Sequence, residues 1–65
     1  MRYEIRVDGH LSTALAGAFP ELDHVEMGGQ TVLYGAVVDE GELYGLLDRC
    51  QSLGLRVLEL RQRPV

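Results

Sequence analysis

The chain has 65 residues, of which 46% are hydrophobic and 25% are charged. This composition is typical of a globular protein and excludes a disordered tail. The net charge of −4 argues against nucleic-acid binding, which usually needs an excess of basic residues. No stretch is long and apolar enough to cross a membrane, and the first residues lack the pattern of a signal peptide, so the expected location is the cytoplasm.

The small size predicts that residues 1–65 form one domain of marginal stability, because a chain this short buries only about 60% of its unfolded surface. Small folds commonly add disulfides, a metal or a second subunit. The single cysteine, Cys50, cannot form an internal disulfide, and no cluster of side chains has metal-ligand spacing. We therefore expect no cofactor, and self-association is the remaining source of stability.

The first third of the chain predicts a strand and a short helix. Residues 2–7 alternate charged and apolar side chains, which is the pattern of a half-buried strand. Asp8 and Gly9 form a turn, and Ser12 can cap a helix over residues 13–19 that ends before Pro20.

The middle of the chain predicts a β-hairpin. A second strand over residues 22–27 and a third over residues 31–38 flank Gly28 and Gly29, which favour a tight turn. The third strand has apolar residues at both parities, as in a central strand covered on two sides. Gly35 within it indicates a bulge or a close approach by another backbone or a ligand.

The last third predicts a second helix and a fourth strand. Asp39 and Glu42 resemble a capping box, and Gly54 fits the end of the helix. An apolar stripe between them is expected to form the centre of the core, with Cys50 buried and inert. The stripe consists of Leu43, Leu46, Leu47, Cys50 and Leu53. Residues 56–61 form the fourth strand, and residues 62–65 are expected to be a tail.

These elements predict an α+β, ferredoxin-like βαββαβ fold, a four-stranded antiparallel sheet with two helices on one face. Right-handed crossovers would place the first and third strands in the centre and the fourth strand beside the first. The other face of the sheet would then be bare.

Several side chains are candidates for binding. His10, in the turn before the first helix, could carry a proton or hold an anion, or could be a solvent-exposed turn residue. Tyr34, with Tyr3 and Tyr44, could line a pocket or pack in the core. His24 is expected at the surface of an edge strand.

The placement of charge is the strongest pattern. The basic residues are all arginines, and most of them lie on the first and fourth strands and the tail: Arg2, Arg6, Arg56, Arg61 and Arg63. One interpretation is a solvated sheet face on which Glu4 and Glu59 neutralise them. The other is a recognition surface for a carboxylate, a phosphate or an acidic partner.

The run LYGLLDRCQSLGLRVLEL, residues 43–60, resembles the second helix and last strand of small ferredoxin-like actinobacterial proteins of unassigned function. The resemblance implies the fold and brings no catalytic motif. ACT-type regulatory domains share the element order, but their glycine-containing turn after the first strand is matched here only by Asp8 and Gly9.

The sequence thus favours a non-enzymatic interaction module that acts as a homodimer or higher homo-oligomer through its sheet face or an edge strand. An acidic protein or a small anionic ligand is a possible partner, and neither nucleic acid nor a membrane is expected. The alternative is a small-molecule-binding or catalytic dimer of the α+β-barrel type, with a pocket lined by tyrosines.

Overall fold

A computed structural model describes residues 1–64 and confirms the ferredoxin-like α+β arrangement. The elements in chain order are β1 (Arg2–Asp8), α1 (Thr13–Ala16), β2 (Asp23–Met27), β3 (Gln30–Ala36), α2 (Glu40–Ser52) and β4 (Val57–Arg63). The strands form one antiparallel sheet in the order β2-β3-β1-β4. As predicted, β1 and β3 are central and β4 lies beside β1. No helix of residues 1–64 has the length and apolar character needed to span a membrane.

The core lies between the helices and one face of the sheet. Ile5 pairs with Leu33 on one side and with Leu60 on the other, so these three side chains point towards the helices. The same face buries Val7, and α2 contributes Leu43, Leu46 and Cys50.

The first helix is shorter than predicted and ends at Ala16 instead of Phe19. Its predicted cap is confirmed, because the Ser12 hydroxyl accepts from the backbone N–H of Leu15. Beyond Gly17 the backbone N–H groups of Ala18 and Phe19 donate to carbonyls three residues back, so the chain continues in tighter turns. Phe19 is nevertheless buried in the core.

The β2–β3 hairpin turns at Gly28 and Gly29 as predicted. Both have positive φ, 57° and 79°, which glycine adopts without strain. Gly35 marks a close approach by another backbone, since a Cβ there would lie 3.3 Å from the Glu21 carbonyl oxygen and 3.1 Å from Leu22 Cδ2. The segment before β2 therefore packs directly on β3.

The predicted stripe of α2 is buried only in part. Asp39 caps the helix through the N–H of Glu42, and the Glu42 side chain accepts from the N–H of Val38. Leu47 is half-buried, and Leu53 is 38% exposed because it lies at the C-terminal cap, where no element covers it.

The fourth strand is longer than predicted. It extends to Arg63, so Gln62 and Arg63 belong to the sheet and not to a tail, whereas Val65 lies outside the described residues. The register with β1 shifts between Arg6 and Val7, which leaves Leu58 as an extra residue of a β-bulge.

Candidate interaction surfaces

The face of the sheet opposite the helices, here called the open face, carries most of the candidate arginines. Arg2, Arg6, Arg61 and Arg63 alternate with the core-facing residues of β1 and β4, and the register places them side by side. The structure therefore brings together four of the five arginines that the sequence singled out. Arg56 precedes β4 and is exposed, and its carbonyl accepts from the N–H of Asp8 at the far end of β1.

Two glutamates of the open face pair with these arginines. Arg6 Nε lies 3.5 Å from Glu59 Oε1, and Arg61 lies 3.8 Å from Glu4 and 3.7 Å from Glu59. The pairs are partly exposed, so each contributes little to stability. Cross-strand neutralisation thus accounts for Arg6 and Arg61.

Arg2 and Arg63 have a different environment. They are directly opposite each other in the β1–β4 register, where like charges repel. The Arg63 guanidinium carbon also lies 5.7 Å from the centre of the Tyr34 ring, within the range of a cation–π contact. This end of the open face therefore concentrates positive charge beside an aromatic ring.

An open groove of about 450 Å³ crosses the open face between β1 and β2. Its base is Val32, which is only 3% exposed although no helix covers it, because Val25, Tyr34 and neighbouring side chains surround it. Apolar residues at both parities of β3 are thus explained by helices on one face and by this side-chain cluster on the other.

The candidate tyrosines do not share a pocket. Tyr3 is half-buried against the core, Tyr34 lies on the open face, and Tyr44 is 61% exposed on α2. The hydroxyl of Tyr44 donates to Glu40, one helical turn away. Within one chain, the three tyrosines therefore do not line a common pocket.

His10 lies on the helix side of the sheet, so it does not join Tyr34. It is exposed, contacts Glu26 of β2, and lines a second open groove with His24 and α1. Residues 1–64 contain no group of three or more His, Cys, Asp or Glu side chains placed to hold a metal ion. A histidine paired with a surface carboxylate is the expected arrangement of a solvated turn.

Cys50 is buried, as predicted. It has no exposed surface, and burial raises the pKa of its thiol despite the attraction of the nearby Arg49. A buried thiol with a raised pKa is a poor nucleophile. The position of Cys50 therefore supports a packing role.

Arg49 was not a candidate, yet it makes the best-defined ion pair. Its two terminal nitrogens donate to the two oxygens of Glu21 at 2.9 and 3.0 Å, and one also donates to the Ala18 carbonyl. The guanidinium lies over the Phe19 ring, 5.5 Å from its centre. These contacts tie α2 to the loop before β2, and sequence spacing gives no signal of a pair 28 residues apart.

The edge strand β4 exposes an apolar surface that sequence reasoning did not single out. Val57, Leu58 and Leu60 are 39%, 40% and 42% exposed, although Val57 and Leu60 pair with core residues of β1 and lie on the helix side. Leu53 at the end of α2 is also exposed on this side. The sequence did contain a sign of this surface, since β4 has apolar residues at both odd and even positions. Side chains on the two faces of an edge strand cannot all be buried by helices on one face.

Comparison with known proteins identifies a family but no characterised relative. No curated protein and no solved structure matches the chain significantly. A family model described as "Domain of unknown function (DUF8691)" matches residues 2–61, from the start of β1 to the last third of β4. The chain therefore belongs to this family of unknown function.

Proposed function

We propose that this chain is a non-enzymatic interaction module that acts as a homo-oligomer through its free β4 edge. The observation that carries the proposal is the exposed apolar surface of β4, formed by Val57, Leu58 and Leu60 on the strand that lies at one edge of the sheet. An apolar edge strand is a template for pairing with another chain. The small core gives the monomer little stability, so burial of this edge would stabilise the fold.

The charge pattern favours the β4 edge over the open face. Packing two open faces together would bury arginines and glutamates of β1 and β4, and removing such charges from water is costly. Pairing through β4 leaves them in solvent and extends the apolar layer beneath the helices.

The other edge of the sheet is less suited to this role. On its helix side β2 presents His24 and Glu26, which pair with Leu33 and Thr31 of β3. Joining two copies at β2 would therefore not continue the hydrophobic core.

Two lysine substitutions, at positions whose wild-type side chains are equally exposed, test the proposal. Leu60 on β4 and Val25 on β2 are each 42% exposed, and a lysine at either position obstructs strand pairing at that edge. We expect the wild type to show concentration-dependent association in sedimentation velocity, Leu60→Lys to be monomeric, and Val25→Lys to associate as the wild type does. A monomeric wild type would contradict self-association, and the reverse ranking of the two variants would move the interface to β2 or the open face.

A second candidate function is the binding of an anionic group at the open face. The opposition of Arg2 and Arg63 favours it, because a carboxylate or phosphate placed between them would relieve their repulsion. Calorimetric titration with a short polyglutamate peptide and with inorganic phosphate tests both ligands. We expect saturable binding of at least one of the two ligands, and we expect Arg63→Gln to abolish it. If neither ligand gives a heat of binding, anion binding at the open face is excluded.

A further inference from the structure

The backbone of β4 has a definite pattern of outward-facing groups. Gly9 donates to the Gly29 carbonyl, and Met1 and Val37 exchange hydrogen bonds, so the odd-numbered residues of β1 direct their backbone groups at β3. Asp8 donates to the Arg56 carbonyl, so the even-numbered residues face β4. The backbone N–H and C=O of Ile5 are therefore directed at β3.

This alternation fixes the orientation of Leu60. Leu60 is opposite Ile5, and the backbone N–H and C=O of Ile5 form their hydrogen bonds with β3. The N–H and C=O of Leu60 therefore point away from β1 into solvent. Its neighbours Glu59 and Arg61 are opposite Arg6 and Glu4, and their backbone groups face β1. The outer edge of β4 thus presents Leu60 and Gln62, with Leu58 at the bulge.

We propose that two copies of this chain pair antiparallel through β4, with a two-fold axis at Leu60. This inference rests on the proposed function and specifies its interface. The axis would pair Leu60 with Leu60 of the second copy through two backbone hydrogen bonds, and both leucine side chains would lie on the helix side of the sheet. On the open face it would place Glu59 of each copy opposite Arg61 of the other, which gives two attractive cross-strand pairs.

Other registers that keep the helices on one side are less favourable. A two-fold axis at Glu59 places two glutamates opposite each other, and an axis at Arg61 does the same with two arginines. An axis at Gln62 places Pro64, which has no N–H, opposite the outward-facing groups of Leu60. An axis at Leu58 lies on the β-bulge, where the ladder is irregular.

A pair of double variants tests the register without disturbing cross-strand pairing within each chain. Variant A combines Glu4→Arg with Arg61→Glu, and variant B combines Arg6→Glu with Glu59→Arg. In each variant both cross-strand pairs between β1 and β4, positions 4 with 61 and 6 with 59, remain opposite in charge. Variant A, however, presents two glutamates at positions 59 and 61, and variant B presents two arginines there. Both interchain pairs then become repulsive in either homodimer.

We expect each variant alone to show a dimer Kd raised by roughly tenfold or more, and an equimolar mixture of A and B to form a heterodimer. The measurement is sedimentation equilibrium at low ionic strength, with circular dichroism to verify the fold. The mixture is the matched control, since a variant that merely misfolds is not restored by its counterpart. Unchanged homodimers of A and B would overturn the register while leaving self-association intact, and a monomeric wild type would overturn the proposed function itself.

Disulfide trapping tests the register without charge changes. In a Cys50→Ala background, Leu60→Cys is expected to oxidise to a covalent dimer, because Cα atoms of a hydrogen-bonded antiparallel pair are about 5.5 Å apart. Gln62→Cys is the control, since the two copies of that position would be about 14 Å apart. Preferential trapping at position 62 would overturn the axis at Leu60 and move it to Gln62.

Discussion

Truncation of Leu46 to alanine is expected to remove much of the stability of the fold. Leu46 is 1% exposed and packs in the core cluster with residues of β1, β3 and α2. Removing a buried leucine side chain costs about 2–5 kcal/mol through lost burial and the cavity left behind. A domain of this size has about 3–10 kcal/mol of total stability, so the variant is expected to be partly unfolded in buffer.

Leu47→Ala provides the matched comparison. It deletes the same atoms from the next residue of α2, but Leu47 is only half-buried at the margin of the core. The expected loss is about half that of Leu46→Ala, because less surface returns to water and solvent fills the space.

Urea denaturation followed by circular dichroism measures both losses. The protein concentration must be the same for every variant, since self-association adds stability that depends on concentration. Equal losses in the two variants, or a loss below about 0.5 kcal/mol for Leu46→Ala, would show that the assignment of the core face of α2 is wrong.

Three further predictions concern single sites. The thiol of Cys50 should react slowly with a maleimide reagent in native buffer and rapidly in urea, because burial raises its pKa; fast native labelling would refute this. Gly35→Ala should lower the midpoint of urea unfolding, since the added Cβ would lie 3.3 Å from the Glu21 carbonyl oxygen, and an unchanged midpoint would contradict the close approach. The hydrogen bonds from Arg49 lower the pKa of Glu21 below its ordinary value of 4.5, so the wild type should lose stability as the pH falls from 4.5 through the lowered pKa of the folded state. Arg49→Gln should flatten this pH dependence, and an unchanged pH profile would exclude a stabilising ion pair between Arg49 and Glu21.

Local patterns in the sequence predicted most of the fold. Alternation in β1, the Gly28–Gly29 turn and the Asp39 cap each depend on neighbouring residues, and each is confirmed. The central position of β1 and β3 followed from the handedness of the crossovers. Gly35 was predicted to mark a bulge or a close approach by another backbone or a ligand, and the structure shows the approach of the backbone at Glu21.

The differences come from tertiary contacts. The α1 helix ends early because the chain tightens into turns that bring Phe19 into the core, which its apolar spacing does not reveal. Leu53 follows the helical stripe but lies at the cap, beyond the elements that bury the rest.

The candidate sites were predicted less completely than the fold. Alternation placed Arg2 and Arg6 on one face of β1, and the predicted strand order brought β4 and its arginines beside them, as the register shows. His10 and Tyr34 had no spacing relation, and they lie on opposite sides of the sheet. Whether these side chains bind a ligand stays a prediction, as does the resemblance to actinobacterial proteins.

The concentration dependence of amide exchange at Leu60 tests the β4 interface most directly. The Leu60 N–H points away from β1, whereas the N–H of Arg61 points towards it and serves as the internal control. We predict by NMR that protection of the Leu60 amide increases as the protein is concentrated from about 1 µM to about 1 mM, while that of Arg61 is substantial throughout. A Leu60 amide that exchanges at the rate of an unstructured peptide at every concentration would contradict the interface.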